Sequence, residues 1–362
     1  MRILVVTHAP LQPEYGAAQM ALNLAAALRD RGHDALAWST EPLQGRSRFW
    51  NAWYLQRRRL ESFLAESPPF DVIDLPAVSI SRKVQTHGCI VARSIQPDLR
   101  YFSCALRAEV RRLPISILHL VLNLLHMLRV SVAIVAGWRR AETILCLGSH
   151  EFDWMRRRFP WTRNKLERYL DAPSPADQAL LADLRARRAA RGTRPGLRFL
   201  WIGRWVPQKG TRLLLRFIAE RAQTHPKDVF TLAGCGDQAA RDCPPDLIAA
   251  GRLRLLPGFP RGELPKLLAE HDIGLFTSVV EGWGLSLNEM LESGMPVFAT
   301  RAGGVEDLAP YFPETLRPFP PSPDFEAPPP TENLTATGYL RHFTWESIAA
   351  LYEDRVLARQ LR

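Results

Sequence analysis

The chain has 362 residues, of which 46% are hydrophobic and 23% charged, so it contains enough apolar material for two domains with buried cores. Its five scattered cysteines form no Cys-x-x-Cys pair and lie near no histidine cluster at metal-ligand spacing, which argues against a disulfide framework or a zinc site. The formal net charge of +10 favours a phosphate-rich substrate or an anionic membrane face, because no nucleic-acid recognition motif accompanies it.

The N-terminal stretch alternates strands and helices. RILVVTH predicts a first strand and does not resemble a signal peptide, so we expect a cytoplasmic protein. A helix with apolar residues at three- and four-residue spacing follows Gly16 and ends at Gly32. The apolar runs DALAWST, FDVIDLP and AETILCLGS predict further buried strands. These elements form βαβ units of a parallel sheet.

A long apolar segment, 115–137, could span a bilayer by its length alone. On a helical wheel its polar residues gather within an arc of about 140°. These residues are Ser116, His119, Asn123, His126 and Arg129. Because a mid-membrane arginine is costly, we expect an amphipathic helix that either packs on the domain or lies in a bilayer interface.

A second series of strands and helices follows an Ala- and Arg-rich segment, 171–195, that we interpret as a linker. The run LRFLWIGR predicts a strand, TRLLLRFIAERA a helix, and DVFTLAGCG and RLRLLPGF two more strands. The helix GELPKLLAEH comes next. The proline-dense segment 319–330 predicts an extended connection, and Thr344 is a candidate N-cap for a final helix.

Two Rossmann-like halves joined by a linker predict an α/β protein with a cleft between the halves. We assign 1–190 to an N-terminal domain and 196–340 to a C-terminal domain. The segment 343–362 is predicted to be a helix that returns to the N-terminal domain.

Two glutamates flank a Gly-Trp-Gly turn in the segment EGWGLSLNE. Glu281 follows the predicted strand 272–278, and carboxyl ends of strands are where open α/β sheets bind ligands. Glu289 lies on the next helix, whose N-terminus favours an anion such as a phosphate. Without an adjacent metal motif, two carboxylates suggest recognition of hydroxyl groups.

With these motifs in order, the chain resembles the retaining glycosyltransferases of family 4, glycosyl transferases group 1, whose fold is called GT-B. The resemblance is strongest from Phe199 to Leu308 and includes WIGRWVPQKGTRLLLRF. It implies that Arg204 and Lys209 bind the donor diphosphate and stabilise the departing charge, as fixed cations can. It also implies that Glu281 holds hydroxyls of the transferred sugar and Glu289 those of the ribose.

The resemblance implies further donor-binding positions in the C-terminal half. They lie in the loops after the strands and at the start of the helix that carries Glu289. These positions are Gly203, Gly234, Pro257, Gly258, Phe259, Gly282, Trp283, Gly284, Leu285 and Ser286.

Two positions in the N-terminal half complete the predicted site. The loop EYGAAQ keeps only Gly16 where relatives often have paired glycines, so Gly16 is the expected close-approach position for a phosphate. The segment VQTHGCI resembles the family's histidine-bearing strand end, which makes His87 a candidate catalytic residue facing the transferred sugar.

The resemblance therefore implies a metal-independent retaining hexosyltransferase with no cofactor beyond a GDP- or UDP-linked donor sugar. It also implies that the domain 1–190 binds the acceptor and that the domain 196–340 binds the nucleotide sugar. GDP-mannose, UDP-glucose and UDP-N-acetylglucosamine all remain open. We expect a lipid-linked or polysaccharide acceptor, as in cell-envelope biosynthesis, and an anionic membrane surface on the cytoplasmic side rather than nucleic acid. Alternatives are a sugar-nucleotide epimerase of similar build and an inactive donor-binding partner subunit.

Overall fold

The computed structural model describes residues 1–42, 51–110, 117–189, 195–322, 325, 327, 334 and 337–360. The chain divides into two compact units. Unit 1 comprises Met1–Ala172 and Phe343–Arg362, and unit 2 comprises Pro173–His342. Each unit contains one six-stranded parallel sheet, which confirms the predicted α/β class of two Rossmann-like domains.

Unit 1 contains the strands β1 to β6, and unit 2 contains β7 to β12. Their order is β2-β1-β3-β4-β5-β6 in the first sheet and β12-β11-β10-β7-β8-β9 in the second. Most strands are nearly continuous apolar runs because helices cover both faces of such sheets. The bounds are β1 Arg2–Thr7, β2 Asp34–Ser39, β3 Val72–Pro76, β4 Cys89–Arg93, β5 Thr143–Leu147, β6 Leu166–Tyr169, β7 Arg198–Ile202, β8 Val229–Ala233, β9 Leu253–Leu256, β10 Ile273–Phe276, β11 Val297–Ala299 and β12 Leu316–Pro318.

The α-helices connect these strands in chain order. They are α1 Gly16–Asp30, α2 Ala52–Glu66, α3 Arg82–Gln85, α4 Asp98–Val110, α5 Ile117–Arg140, α6 Gly148–Arg158, α7 Pro175–Ala189, α8 Thr211–Thr224, α9 Ala239–Asp242, α10 Pro245–Ala249, α11 Leu264–Glu270, α12 Leu285–Glu292, α13 Val305–Leu308, α14 Trp345–Tyr352 and α15 Ala358–Gln360. A π-helical turn, Glu353–Leu357, joins the last two.

The C-terminal segment belongs to unit 1, as predicted for the returning helix. Thr344 caps α14 by accepting a hydrogen bond from the Ser347 N–H. α14 packs against α1. The indole of Trp345 donates to the carbonyl of Ala172 at 3.1 Å, and Arg31 pairs with Glu353 at 2.6 Å.

The predicted linker 171–195 and the domain boundary at 190 are wrong, because residues 175–189 form α7 and this helix belongs to unit 2. Pro175 suits the first helical turn, and the Ser174 hydroxyl accepts from the Asp177 N–H at 3.1 Å. The guanidinium of Arg188 anchors the helix by donating to the carbonyl of His271 at 2.7 Å. Residues 190–194 lie outside the described residues.

The proline-rich segment 319–330 lies only in part within the described residues. There, Phe319 and Phe325 pack against the core of unit 2. The prediction of an extended connection is therefore untested over most of this segment.

Helix α5 covers the predicted amphipathic segment and packs on unit 1. Its buried residues recur at helical spacing and include the polar Asn123 and His126 beside Val130, Ile134 and Trp138. Ser116 and the side chain of His119 lie outside the described residues. In the described part of the chain, Leu120–Arg140 is the one helix long and apolar enough to cross a membrane, although this test considers length and composition alone.

Candidate functional site

The loops at the carboxyl edge of the second sheet hold the predicted residues of the C-terminal half. Gly203 and Arg204 directly follow β7, and Gly234 follows β8. The turn of Pro257, Gly258 and Phe259 follows β9, and Glu281 lies in the loop between β10 and α12. Since β10, β7, β8 and β9 are parallel neighbours, these loops all emerge at one edge.

Lys209 and Glu281 form an ion pair at this edge. The Lys209 ammonium lies 2.5 Å from Oε2 of Glu281, and the Ser278 hydroxyl donates to the same oxygen at 2.9 Å. Both charged side chains are half-buried. A cation and an oxygen-rich carboxylate are thus held together where a phosphate and a sugar hydroxyl could each find a partner.

The backbone around Lys209 is fixed by a close contact with the end of β10. The Thr277 hydroxyl donates to the Lys209 carbonyl at 2.8 Å and accepts from the Trp201 indole at 3.0 Å. Gly210 has a φ of +68°, and a Cβ at this position would lie 1.8 Å from the Thr277 carbonyl oxygen. Only glycine therefore allows the lysine loop to approach the strand so closely.

Arg204 is exposed, in contrast to the paired Lys209. Within the described part of the chain, no hydrogen bond or ion pair engages its guanidinium. A guanidinium at the carboxyl end of a strand is available to an incoming anion.

The turn from Gly282 to Ser286 delivers the start of α12 to the same edge. Gly284 is the N-cap and has a φ of +95°; a Cβ here would lie 2.6 Å from the ring of Phe276. The N–H groups of Leu285 and Ser286 are among the first of the helix and have no partner within it, as at any helix start. They can donate to a phosphate or sugar oxygen.

The side chain of Trp283, one of the predicted donor-binding positions, is buried. Its indole N–H donates to Oδ1 of Asn288 at 2.7 Å, and the Gly303–Gly304 turn packs so closely that added Cβ atoms would clash with this tryptophan. The ring therefore supports the loop from within the unit.

Asn288 extends this support into a chain of buried hydrogen bonds. Its amide donates to the hydroxyl of Tyr339 at 2.9 Å, and that hydroxyl donates to Glu292 at 2.6 Å. Burial raises the pKa of Glu292 to about 7. No sequence pattern indicated this role, because the partner of Asn288, Tyr339, lies 51 positions away.

Glu289 is buried and meets a residue that sequence reasoning missed. Nη1 of Arg261 lies 2.5 Å from Oε1 of Glu289, and Nη2 of Arg261 lies 3.0 Å from Asp177 on α7. Burial raises the pKa of Glu289, and the attraction of Arg261 limits that rise. The only sequence signal for Arg261 was its position just after the predicted loop Pro257–Phe259.

His87 is not at a strand's carboxyl end, so the predicted strand end is wrong, whereas its role toward the transferred sugar stays a prediction. It lies in the turn before β4, and its carbonyl accepts from the N–H of Phe70, which precedes β3. Both positions belong to the amino edge of the first sheet. The apolar run that forms β4 begins after the histidine, at Cys89, and not before it.

Gly16 is the first residue of α1, in the connection that follows β1. The helix start has no side-chain cap, and Ala18 is the first residue of the helix whose N–H donates to the Tyr15 carbonyl, so the N–H groups of Gly16 and Ala17 can donate to a ligand. This geometry is compatible with the predicted phosphate contact.

The carboxyl edge of the first sheet also holds polar groups that were not predicted. Arg93, at the end of β4, forms a buried ion pair with Asp74 of β3. A cavity beside it contains two carboxyl groups, and burial raises the pKa of Asp98 to about 6 and that of Glu151 to about 7. Its lining includes Arg93, Asp98, Trp138, Cys146, Glu151 and Trp154. Such groups can bind the hydroxyls of a small polar molecule.

No group of three or more His, Cys, Asp or Glu residues suited to a metal ion occurs among the residues that the structure describes.

Residues 196–311 match the family model described as glycosyl transferases group 1. An uncharacterized glycosyltransferase of Bacillus subtilis (strain 168) is 34% identical over 117 residues, which are 31% of this chain and 32% of that protein. The phosphatidylinositol N-acetylglucosaminyltransferase GPI3 subunit of Saccharomyces cerevisiae (strain YJM789) is 30% identical over 113 residues, 30% of this chain and 25% of that subunit. The chain thus aligns with about a third or less of these relatives.

Similarity to solved structures extends over nearly the whole chain. Sucrose-phosphate synthase from Thermosynechococcus elongatus has a TM-score of 0.70 at 17% identity, covering 99% of this chain and 98% of that one. WaaG, a glycosyltransferase involved in lipopolysaccharide biosynthesis, has a TM-score of 0.61 at 13% identity, and the match covers 97% of this chain and 95% of WaaG. Anabaena HepE in complex with UDP-glucose has a TM-score of 0.57 at 15% identity, and the match covers 98% of this chain and 95% of HepE. The fold is therefore that of GT-B proteins.

Proposed function

Because this chain has the GT-B fold and its residues 196–311 match the model of the group 1 glycosyltransferases, we propose that it transfers a hexose-type sugar from a nucleotide sugar, with retention of configuration. The donor is GDP- or UDP-linked. The acceptor is a lipid-linked or polysaccharide glycan of the cell envelope, met at the cytoplasmic face of the membrane.

The paired Lys209 and Glu281 carry this proposal. They lie at the carboxyl edge that also presents the exposed Arg204 and the N–H groups at the start of α12. Cations and N–H groups suit a diphosphate, and a carboxylate suits the hydroxyls of a sugar. One edge of one sheet thus offers partners for both halves of a nucleotide sugar.

In the proposed reaction, the bond between the sugar C1 and the phosphate oxygen breaks while the acceptor hydroxyl oxygen bonds to C1 on the same face. The acceptor proton passes to the departing phosphate oxygen. Arg204 and Lys209 stabilise the negative charge that develops on the diphosphate, which lowers the barrier. These two cations are our reason for proposing a reaction that requires no metal ion.

The similar proteins support the choice of substrates. HepE binds UDP-glucose in its solved structure. The yeast relative is named for phosphatidylinositol, a lipid acceptor, and WaaG for lipopolysaccharide biosynthesis.

A panel of nucleoside diphosphates and sugar nucleotides tests the donor assignment by thermal shift, because a ligand that binds the native state raises its melting temperature. We expect one sugar nucleotide to stabilise the wild type. Lys209→Ala is expected to lower the rate of transfer by a factor of about 100 or more, as loss of one charge-stabilising group does. Transfer is measured from the labelled donor to a membrane-extract acceptor.

Arg216→Ala is the matched control, since Arg216 is an exposed cation of unit 2 that pairs with Glu220 on α8. It is expected to retain transfer. Wild-type turnover by a folded Lys209→Ala variant contradicts the proposed role. Conversion of the donor sugar without any acceptor identifies an epimerase, and binding without turnover identifies an inactive partner subunit.

A further inference from the structure

We propose that the outward face of α5 docks unit 1 onto an anionic lipid bilayer, with the helix lying along the surface. This face consists of Leu118, Val121, Leu122, Leu124, Leu125, Leu128 and Val132. The inference rests on the proposed function in one respect: a docked unit 1 meets a lipid-linked acceptor at the bilayer where that acceptor resides.

The N-terminal half of α5 reverses the residue distribution of an ordinary surface helix, whereas its C-terminal half buries apolar residues in the usual way. An ordinary surface helix turns its apolar stripe to the core and its polar residues to water. Here the polar Asn123 and His126 are buried against unit 1, whereas each residue of the outward face is between 42% and 68% exposed. An exposed apolar patch of this kind marks an interaction site.

α5 is fixed to unit 1 and cannot leave it to cross a bilayer. A Cβ on Gly137 would lie 2.0 Å from the carbonyl oxygen of Ala77, so backbone packs directly on backbone. Ile134 and Trp138 belong to the core cluster of unit 1. With one side bound to the domain, only the opposite side is available, which suits a helix lying in an interface.

The width of the outward face favours a bilayer over a single partner helix. At 100° per residue, the positions from Leu124 through Val132 to Leu122 cover an arc of about 160°. A two-helix seam needs only the narrower stripe of a heptad. An arc of this width is completely covered when it sinks into the boundary between headgroups and acyl chains.

Charge around the face is complementary to anionic lipid. Unit 1 has 27 Lys and Arg residues against 18 Asp and Glu, whereas unit 2 has 20 against 19, so nearly all of the net charge belongs to unit 1. The sequence of α5 includes no acidic residue, and the exposed Arg129 and Arg139 lie on its outer side. Each such cation near an anionic membrane adds to binding.

An interfacial anchor lies at the C-terminal end of α5. The guanidinium of Arg139 lies over the ring of Trp161, 5.6 Å from its centroid, and this tryptophan is 45% exposed. Tryptophan and arginine are residues that settle at headgroup level. A second copy of the chain is a poorer occupant, because each face adds Arg129 and Arg139 while α5 has no acidic residue to pair with the cations of the other copy.

Vesicle co-sedimentation of the full chain tests the proposal. We expect binding to mixed phosphatidylglycerol and phosphatidylcholine vesicles that weakens with salt, and little binding to phosphatidylcholine alone. Leu125→Glu/Leu128→Glu is expected to weaken binding about tenfold or more, because two charges must then enter the interface. Arg129→Gln/Arg139→Gln is expected to reduce the preference for the anionic vesicles.

Leu180→Glu/Leu213→Glu is the matched control: both leucines are similarly exposed, 49% and 42%, but lie on α7 and α8 of unit 2. This variant carries the same added charge and is expected to bind vesicles like the wild type. Circular dichroism checks that each variant is folded.

The proposal is overturned if the folded wild type does not bind anionic vesicles, or if the Leu125→Glu/Leu128→Glu variant binds them as well as the wild type does. A wild-type dimer that this variant dissociates, without vesicle binding, also overturns it and assigns the face to a second copy. The thermal shift with sugar nucleotides is read separately: vesicle binding without any nucleotide binding supports the docking face and contradicts only the proposed function.

Discussion

Arg261 shows how a single residue can prepare a binding carboxylate. Glu289 is predicted to receive ribose hydroxyls, yet it is buried, where a lone negative charge is strongly disfavoured. Arg261 compensates this charge and is itself oriented by Asp177. We therefore assign to Arg261 a positioning role, in which it offsets the cost of burying Glu289 and fixes the direction of its carboxyl group before the donor binds.

Arg261→Gln is expected to destabilise the protein by about 2 kcal/mol, because it leaves a buried carboxylate without its partner. Donor affinity is expected to fall as well. Urea denaturation measures the first effect and isothermal titration of the donor the second.

The double variant Arg261→Gln/Glu289→Gln provides the internal control. It is expected to be more stable than Arg261→Gln alone, since the uncompensated charge is gone. Arg216→Gln, which breaks an exposed pair, is expected to have little effect. Equal losses of stability for Arg216→Gln and Arg261→Gln contradict the assignment.

At the scale of secondary-structure elements, α12 depends on a buried polar chain beneath it. Trp283, Asn288, Tyr339 and Glu292 are linked by hydrogen bonds in that order. Burial raises the pKa of Glu292 from its ordinary 4.5 to about 7, so the fold favours the neutral carboxyl. The neutral Glu292 therefore contributes fully to the free energy of unfolding below pH 4.5, and this contribution is lost as the pH rises through about 7.

Glu292→Gln is expected to remove this dependence, because an amide oxygen can still accept from Tyr339 but cannot ionise. At pH 8 the variant is expected to be more stable than the wild type by up to about 3 kcal/mol, and at pH 4.5 nearly equal. Urea midpoints at both values measure the difference. If the variant is equally destabilised at both pH values, the ionisation of Glu292 does not cause the pH dependence of stability.

The elements also show what a sequence can reveal. The strands with long apolar runs, such as β1 and β10, were predicted correctly because burial on both faces leaves a clear local pattern. Motif residues such as Lys209 and Glu281 could be placed at a strand's carboxyl end for the same reason. α7 was taken for a linker, although its cap residue Ser174 and its Ala- and Arg-rich composition are typical of a helix.

Contacts between residues far apart in the sequence could not be predicted from local residue patterns. Arg261 reaches Glu289 and Asp177, which are 28 and 84 positions away, and no periodicity links them. The position of His87 was predicted wrongly because the start of β4 at Cys89 was not recognised. A residue just before a strand lies at the amino edge of the sheet, whereas a residue just after a strand lies at the carboxyl edge.

At the scale of the whole molecule, the chain leaves unit 1 at Ala172 and returns to it at Phe343. The returning segment contributes Glu353 to Arg31 and His33, and its buried Tyr352 lies beside Asp74. Unit 1 is therefore completed by residues that follow unit 2 in the sequence, whereas unit 2 is continuous in sequence.

Truncation after His342 is expected to destabilise unit 1 selectively, because the apolar face of α1 that α14 covers becomes exposed to water. Hydrogen exchange followed by mass spectrometry is expected to show faster exchange in α1 and β1 and unchanged exchange in α8 and β7. Truncation after Leu357 keeps Tyr352 and Glu353 and is the matched control. Equal protection of unit 1 in both truncated chains contradicts its dependence on α14.

The outward leucines of α5 have a practical consequence for handling the protein. In a preparation without lipid, these leucines can bury their side chains only against detergent, a contaminating surface or another protein molecule. The positive charge of unit 1 opposes self-association at low ionic strength, and salt screens that repulsion. Concentrating the protein in high salt is therefore the condition most prone to precipitation, and mild detergent micelles are the additive expected to prevent it.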